Sequence, residues 1–405
     1  MKKIVIPIIF ALAGTSFVTY SFLDTFIIPQ DLGVSYEADG ANAVSNFSFS
    51  FMEMPRSSSF NEKSSSKNES SNNNKSSENS SSSKSSSSEN QSSSSQESSQ
   101  QSSSYQQGPD IDDTIYYEDL TPDQIAALFT PEKVFVPKQH YSDPDIYIDI
   151  TTDRFEDYST YYAADIRIRS LSYFKTALAH DTAGLNYSEK TSEMCIRHKG
   201  ILAIDGDTYG SQKSGYVIRN GQILRDTKNT SRRKAEDLAI YADGTFEVFN
   251  EKDYSLNEIA AKGAWQVFSF GPGLMSEGKK IVQKGEEVGT AAQQNMNQRC
   301  AIGMIAPLHY VFVVSDGRIR ESPGLSLYQI GKIMESRHCW CAYNLDGGGS
   351  ATMFLDDGTG NANGMGALVN YCTQELVGGN RVDTLPIAPA IEEREVSDIV
   401  YIGKE

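Results

Sequence analysis

Cys339-Trp340-Cys341-Ala342-Tyr343-Asn344-Leu345-Asp346-Gly347-Gly348-Gly349-Ser350 begins as an apolar run of strand length and breaks abruptly into three glycines. That break sets an amide, an acid and a hydroxyl at a strand's end. There the backbone can reach positive φ and turn its N–H groups toward a ligand. Closely approachable N–H groups are what a phosphate or a developing anion needs. A tight turn is the plainer reading, since Asp-Gly is a common hairpin signal. Three glycines exceed what a turn requires, and each costs ordering entropy. The stretch therefore reads as a site.

The rest of the 405 residues frames it. Lys2-Lys3 precede an uncharged, mostly apolar run, Ile4–Leu23, which ends at Asp24. At about 1.5 Å per helical residue such a run spans about 30 Å, a bilayer's hydrocarbon core. The run exceeds the apolar core of a cleaved signal peptide, and no Ala-x-Ala cleavage site stands directly behind it. Residues 1–29 thus read as a signal anchor, a membrane helix whose lysines stay inside and send the chain outward. Residues 30–56 form a juxtamembrane piece. Residues 57–107, dominated by Ser with Asn, Gln and Glu, cannot offset the entropy of ordering and read as a disordered spacer of roughly 40 Å.

The folded part is expected over 110–405, enough for one sizeable core. Thr121-Pro122-Asp123 reads as a helix start before Ile125–Phe129. Asp145–Ile150 and Tyr161–Ile168 read as strands. Tyr216–Leu224 holds Asn220-Gly221 between two short apolar runs, a hairpin, and Leu238–Tyr241, Asp243-Gly244 and Phe246–Phe249 repeat the pattern. Tyr310–Val314 runs into Asp316-Gly317, read as a further hairpin. Ser326 caps a helix to about Arg337, with Leu327, Ile330 and Met334 on one face. Val396–Ile402 closes as a strand. The fold class expected is α+β, one mixed-sheet, hairpin-rich domain.

Several blocks in order resemble the phosphodiester glycosidase family. Asn344–Ser350 with Ala351-Thr352-Met353 looks like its glycine-rich signature. Ile204-Asp205-Gly206-Asp207-Thr208-Tyr209-Gly210, with Gly215–Gly221 after it, resembles its early strand-turn block. Phe270-Gly271-Pro272-Gly273-Leu274, Arg299–Gly303, Val313–Arg318 and Glu393–Ile399 resemble its later blocks. The resemblance spans roughly 165–402. It departs at Asp205, where the family usually has Asn. A carboxyl beside other acids in a cleft can be pushed neutral, which would restore a donor.

The resemblance implies cleavage between a sugar's anomeric carbon and a phosphodiester oxygen, with a carbohydrate phosphodiester as substrate. Such chemistry needs donors on the phosphate, an acid/base carboxylate and contacts to sugar hydroxyls. Asp346 is the first candidate carboxylate, with Asp207 second and Asp205 beside them; capping a turn is the alternative role for Asp207. Arg299 and Arg394 are the phosphate candidates, because a planar fork meets two oxygens at once. Asn344, Gly347, Gly348, Gly349, Ser350 and Asp316 complete the binding set. A non-catalytic glycan or wall-polymer binding module is the alternative.

No cofactor or metal is expected: the five histidines show no metal spacing, and Asp356–Asn361 lacks the terminal Glu of a calcium loop. Ser172–Lys175 fits Ser-x-x-Lys only at chance level. A formal charge of −17 argues against nonspecific binding of nucleic acid or anionic polymer. Five cysteines on an outward-facing chain suggest up to two disulfides and a leftover thiol.

Overall fold

The computed structural model describes residues 29–31, 120–230, 236–284, 296–373 and 391–404. The expected anchor, juxtamembrane piece and Ser-rich spacer lie almost wholly outside them. Among the described residues no helix is long and apolar enough to cross a membrane.

Alternating burial builds the centre. The strands Arg299–Ala306, His309–Ser315, Ser159–Ile168 and Ile146–Phe155 lie side by side in a nine-stranded sheet. Successive side chains point to opposite faces of a strand. Cys300, Ile302, Phe312 and Val314 therefore face one core, while Ala301, Val311 and Val313 face another. The first core is shared with two five-stranded sheets. One of these contains Gly200–Asp205 between Met353–Leu355 and Asp398–Gly403; the other contains Val217–Arg219, Ala264–Phe268 and Glu236–Tyr241. The second core is closed by the helix Leu327–Ser336. Truncating a fully buried ring such as Phe312 would cost roughly 3–5 kcal/mol.

Local signals hold where chemistry is local. Asn220 and Gly221 both adopt positive φ (48° and 80°) between Val217–Arg219 and Gln222–Arg225, the turn expected of Asn-Gly. Gly244 turns Glu236–Tyr241 into Phe246–Asn250 in the same way. The first helix runs Pro122–Leu128 behind a Thr121/Gln124 capping box. Ser326 caps the later helix, its Oγ accepting from Gln329 N–H while Gln329 Oε1 accepts from Ser326 N–H. The closing strand is Asp398–Gly403.

The expected single mixed sheet is not what forms. The described strands make several sheets, and every pairing between them is antiparallel. The described helices are few and short. Hairpins and long returns dominate the chain, and antiparallel pairing is what they produce. Asp316-Gly317 starts no hairpin, because His309–Ser315 already pairs on both sides with Arg299–Ala306 and Ser159–Ile168. The disulfide expectation also fails: all five cysteines are buried and free. Cys339 lies in the helix-covered core, Cys300 and Cys341 in the shared core, and Cys195 in a third. The alternation that buries them also separates them.

Candidate active site

Strand register brings the glycine loop to the arginines. Arg299 stands directly across from Gly347 in the pairing of Arg299–Ala306 with Cys341–Gly347. The chain then tightens into one turn of 3-10 helix, Gly348–Ser350, closed by Ala351 N–H to the Gly348 carbonyl at 3.2 Å. Gly348 takes φ +62°, and a Cβ there would lie 2.6 Å from Arg318 Nη2. A Cβ on Gly347 would lie 2.8 Å from the Gln298 carbonyl. Glycine at both positions is a steric requirement set by what approaches the loop. Asp346 N–H donates to the Gly206 carbonyl at 3.0 Å, tying the loop to the end of Gly200–Asp205.

Asp346 is half-buried at the centre. Burial lifts its carboxyl above the ordinary carboxylate range, opposed by hydrogen bonds from Ser350 and Gly347 and by the charge of Arg394. Ser350 links the two, since Arg394 Nη1 donates to its Oγ at 3.4 Å. Arg299 is buried, with Nε donating to the Leu325 carbonyl at 2.9 Å. Desolvation, and then the charge of Arg318, lowers its guanidinium to about 10, partly offset by Asp346. Arg318 is held by Nε to Asn297 Oδ1 at 2.9 Å. Its own guanidinium is lowered by desolvation and by Arg394. Three guanidiniums thus act on one another across a single carboxylate. Neighbouring like charges are costly unless an anion comes between them. Arg318 also holds φ +60°, a backbone strain of the kind found at working sites.

The sequence reading overlooked Arg318, although Asp316-Gly317-Arg318 was in view. Its signal was an arginine straight after Asp-Gly where a return strand was expected. Asp316 itself turns inward: Oδ1 accepts from Tyr371 N–H at 2.7 Å and Oδ2 from Tyr162 Oη–H at 3.2 Å. Burial pushes its carboxyl up to about 6. It anchors the loop that carries Arg318.

Asp207 is sealed behind the site. Its Oδ1 accepts from Tyr209 N–H and from Arg219 Nη2 (2.6 Å), and its Oδ2 from Ser269 N–H at 2.7 Å. With both oxygens committed to a turn and an ion pair, Asp207 holds structure together. Arg219, wholly buried, also donates to Asp398 Oδ2 at 2.9 Å and lies 4.4 Å from the centroid of the Phe268 ring. Asn344 is a strut as well: its Nδ2 donates to the Gly271 carbonyl at 2.9 Å. Asp205, fully buried at its strand's end, takes Thr352 N–H on Oδ1 at 3.2 Å. The structure therefore brings together Asp346, Gly347, Gly348, Gly349, Ser350, Arg299 and Arg394, adds Arg318, and sets Asp205 directly behind them.

The family model for phosphodiester glycosidase (NAGPA) matches residues 198–402. The chain is similar to the SPbeta prophage-derived uncharacterized protein YomE of Bacillus subtilis (strain 168), 28% identical over 171 residues. That alignment covers 42% of this chain and 26% of YomE, about a quarter of the relative's length. Among solved structures it is similar to the zebrafish N-acetylglucosamine-1-phosphodiester alpha-N-acetylglucosaminidase catalytic domain auto-inhibited by pro-peptide. There the TM-score is 0.48 and the identity 20%, over 68% of this chain and 88% of that one. A hypothetical protein from Synechocystis matches at TM-score 0.44 and 12% identity, over 64% and 62% of the two chains.

Proposed function

The chain belongs to the phosphodiester glycosidase family, and from that premise we propose that it hydrolyses a glycosyl phosphodiester at the bond between the anomeric carbon and the phosphate oxygen. The observation that carries this reading is the convergence of Arg299, Arg318 and Arg394 on Asp346 in a protein of net charge −17. A local cationic surplus on an acidic chain selects an anion by position, since the wider field repels it.

In the proposed reaction the phosphate lies against the arginines and the N–H groups of the glycine loop. Asp346, ionised, takes a proton from a water that attacks the anomeric carbon. The carbon–oxygen bond breaks, and its electron pair leaves on the phosphate oxygen, which the guanidiniums stabilise as charge develops. A phosphate monoester is a stable anion, so one accessible carboxylate is enough. Asp346 then returns its proton to solvent. The products are a free sugar and a phosphate monoester.

The expected setting is the cell envelope, with the catalytic unit held outside the membrane by residues 1–29 and given reach by residues 57–107, and with a glycosyl-phosphate polymer as substrate. That setting is supported by the Lys2-Lys3 and Ile4–Leu23 pattern. The test of the activity is release of free sugar by the full chain from p-nitrophenyl-phosphate diesters of α-GlcNAc and related sugars. Sugar release that collapses in Asp346→Asn supports the reading. No release across the panel removes it.

A further inference from the structure

Asp205 is a buried carboxyl that the proposed chemistry leaves without a task. It ends the central strand Gly200–Asp205 and is wholly shielded from solvent. Its Oδ1 accepts from Thr352 N–H, the residue that follows the glycine loop by two positions. Among the described residues its Oδ2 meets no nitrogen or oxygen donor, and the weak thiol donor of Cys300 is the group beside the carboxyl. A buried carboxylate with an orphaned oxygen is costly, whereas a carboxylic acid there gains a donor and loses the charge.

The described groups around it supply no cation. From Cys341–Gly347 comes Asp346; from Arg299–Ala306 comes Cys300, whose thiol is itself raised by burial and by Asp205. Cys372, across the loop, is raised by burial and also feels Asp205. On the neighbouring strand Asp398–Gly403, the residue opposite Asp205 is the apolar Ile399. Asp207 and Asp398 are already committed to Arg219. Asp346, by contrast, has Arg394 and the Ser350 hydroxyl. Two neighbouring carboxyls do not both ionise readily, and the one beside a cation ionises first.

Resting on the proposed activity, we propose that Asp205 serves the site as a neutral carboxylic acid, a positioning residue behind Asp346, and that loss of its proton closes the site in alkaline solution. Neutral, it leaves a single negative charge among three guanidiniums, and the phosphate, singly charged as the diester and doubly charged once the bond has broken, fills the surplus. Ionised, it sets a second charge behind Asp346 and competes with the phosphate for the arginines. Burial, then the charge of Asp346, raises its carboxyl well above the ordinary range, as this reading requires. Asp346 then sets the acid limb of activity and Asp205 the alkaline limb.

The experiment compares the full chain with Asp205→Asn, which keeps the acceptor for Thr352 N–H and cannot ionise. The kcat and KM for the p-nitrophenyl-phosphate diester are followed against pH. The ratio of variant to wild-type kcat/KM is expected to climb about tenfold per pH unit along the wild type's alkaline limb. Parallel profiles overturn the proposal. So does a folded variant inactive at every pH, which would mean that the proton itself is transferred. Asp205→Ser, smaller and also neutral, gives the same comparison should the Asn variant not fold.

Thermal melting without substrate tests the same claim independently. A folded-state carboxyl raised above its unfolded value binds its proton more tightly when folded, so it costs stability as pH rises through that range. The wild type is therefore expected to lose melting temperature relative to Asp205→Asn as pH rises from about 4. A difference that stays constant with pH overturns the proposal. If neither protein cleaves any diester, the proposed function falls, and the melting comparison still decides the state of Asp205.

Discussion

Arg219 meets two carboxylates and no solvent, whereas Arg299, Arg318 and Arg394 act on one another across a single half-buried carboxylate, Asp346. Both clusters consist of arginine and aspartate, and both lie at the ends of strands. In the first, Asp207, Asp398, the Val267 carbonyl and the Phe268 ring take up the guanidinium. In the second, positive charge exceeds negative, and the Arg299 and Arg318 guanidiniums are pushed down by desolvation and by a neighbouring arginine. A guanidinium wholly taken up by neighbouring carboxylates serves the fold. A set that balances only when an anion enters serves a ligand.

The comparison breaks most completely at Arg219. Arg219→Met should leave Asp207 and Asp398 buried without a cation, costing roughly 3–5 kcal/mol. Chemical denaturation should show that loss, with activity falling in proportion to the folded fraction. Asp346→Asn should do the reverse, keeping the unfolding midpoint near wild type while turnover drops by about 10²–10⁴-fold. If Asp346→Asn unfolds the chain and Arg219→Met does not, the two clusters have been assigned the wrong way round.

Arg318→Lys sharpens the difference further. It keeps the charge but loses the planar fork, at roughly 1.5–3 kcal/mol for a charge-assisted contact. The loss should fall on kcat/KM for the diester, with little change in melting temperature. The smallest effect is expected far from both clusters: Ser326→Ala removes a helix cap worth about 1 kcal/mol of stability. Its diester kinetics should not move.

How much of this was legible in the sequence depends on the distance over which each feature is decided. The Asn220-Gly221 turn, the Ser326 helix cap and the glycine-rich loop are settled within a few residues, and they formed where expected. The division into several sheets was not legible, because pairings such as Arg299 with Gly347 join segments distant in sequence. Arg318 was missed for the same reason. Its place beside Gly348 depends on Asp316 being held by Tyr162 and Tyr371, one from a strand far upstream and one from a later loop. Asp207 reads from the sequence as a second acid/base candidate and Arg394 as a phosphate candidate, since composition cannot say which acid meets which base. Only the fold separates Asp207 behind Arg219 from Arg394 above Ser350.

The central claim is that water attacks the sugar and not the phosphorus. The most direct test is to run the full chain on a glycosyl phosphodiester in water carrying a heavy oxygen isotope and to weigh both products. The account predicts the heavy oxygen in the anomeric hydroxyl of the released sugar, none in the phosphate monoester, and loss of this labelling reaction in Asp346→Asn. Heavy oxygen in the phosphate would mean cleavage at phosphorus and would contradict it.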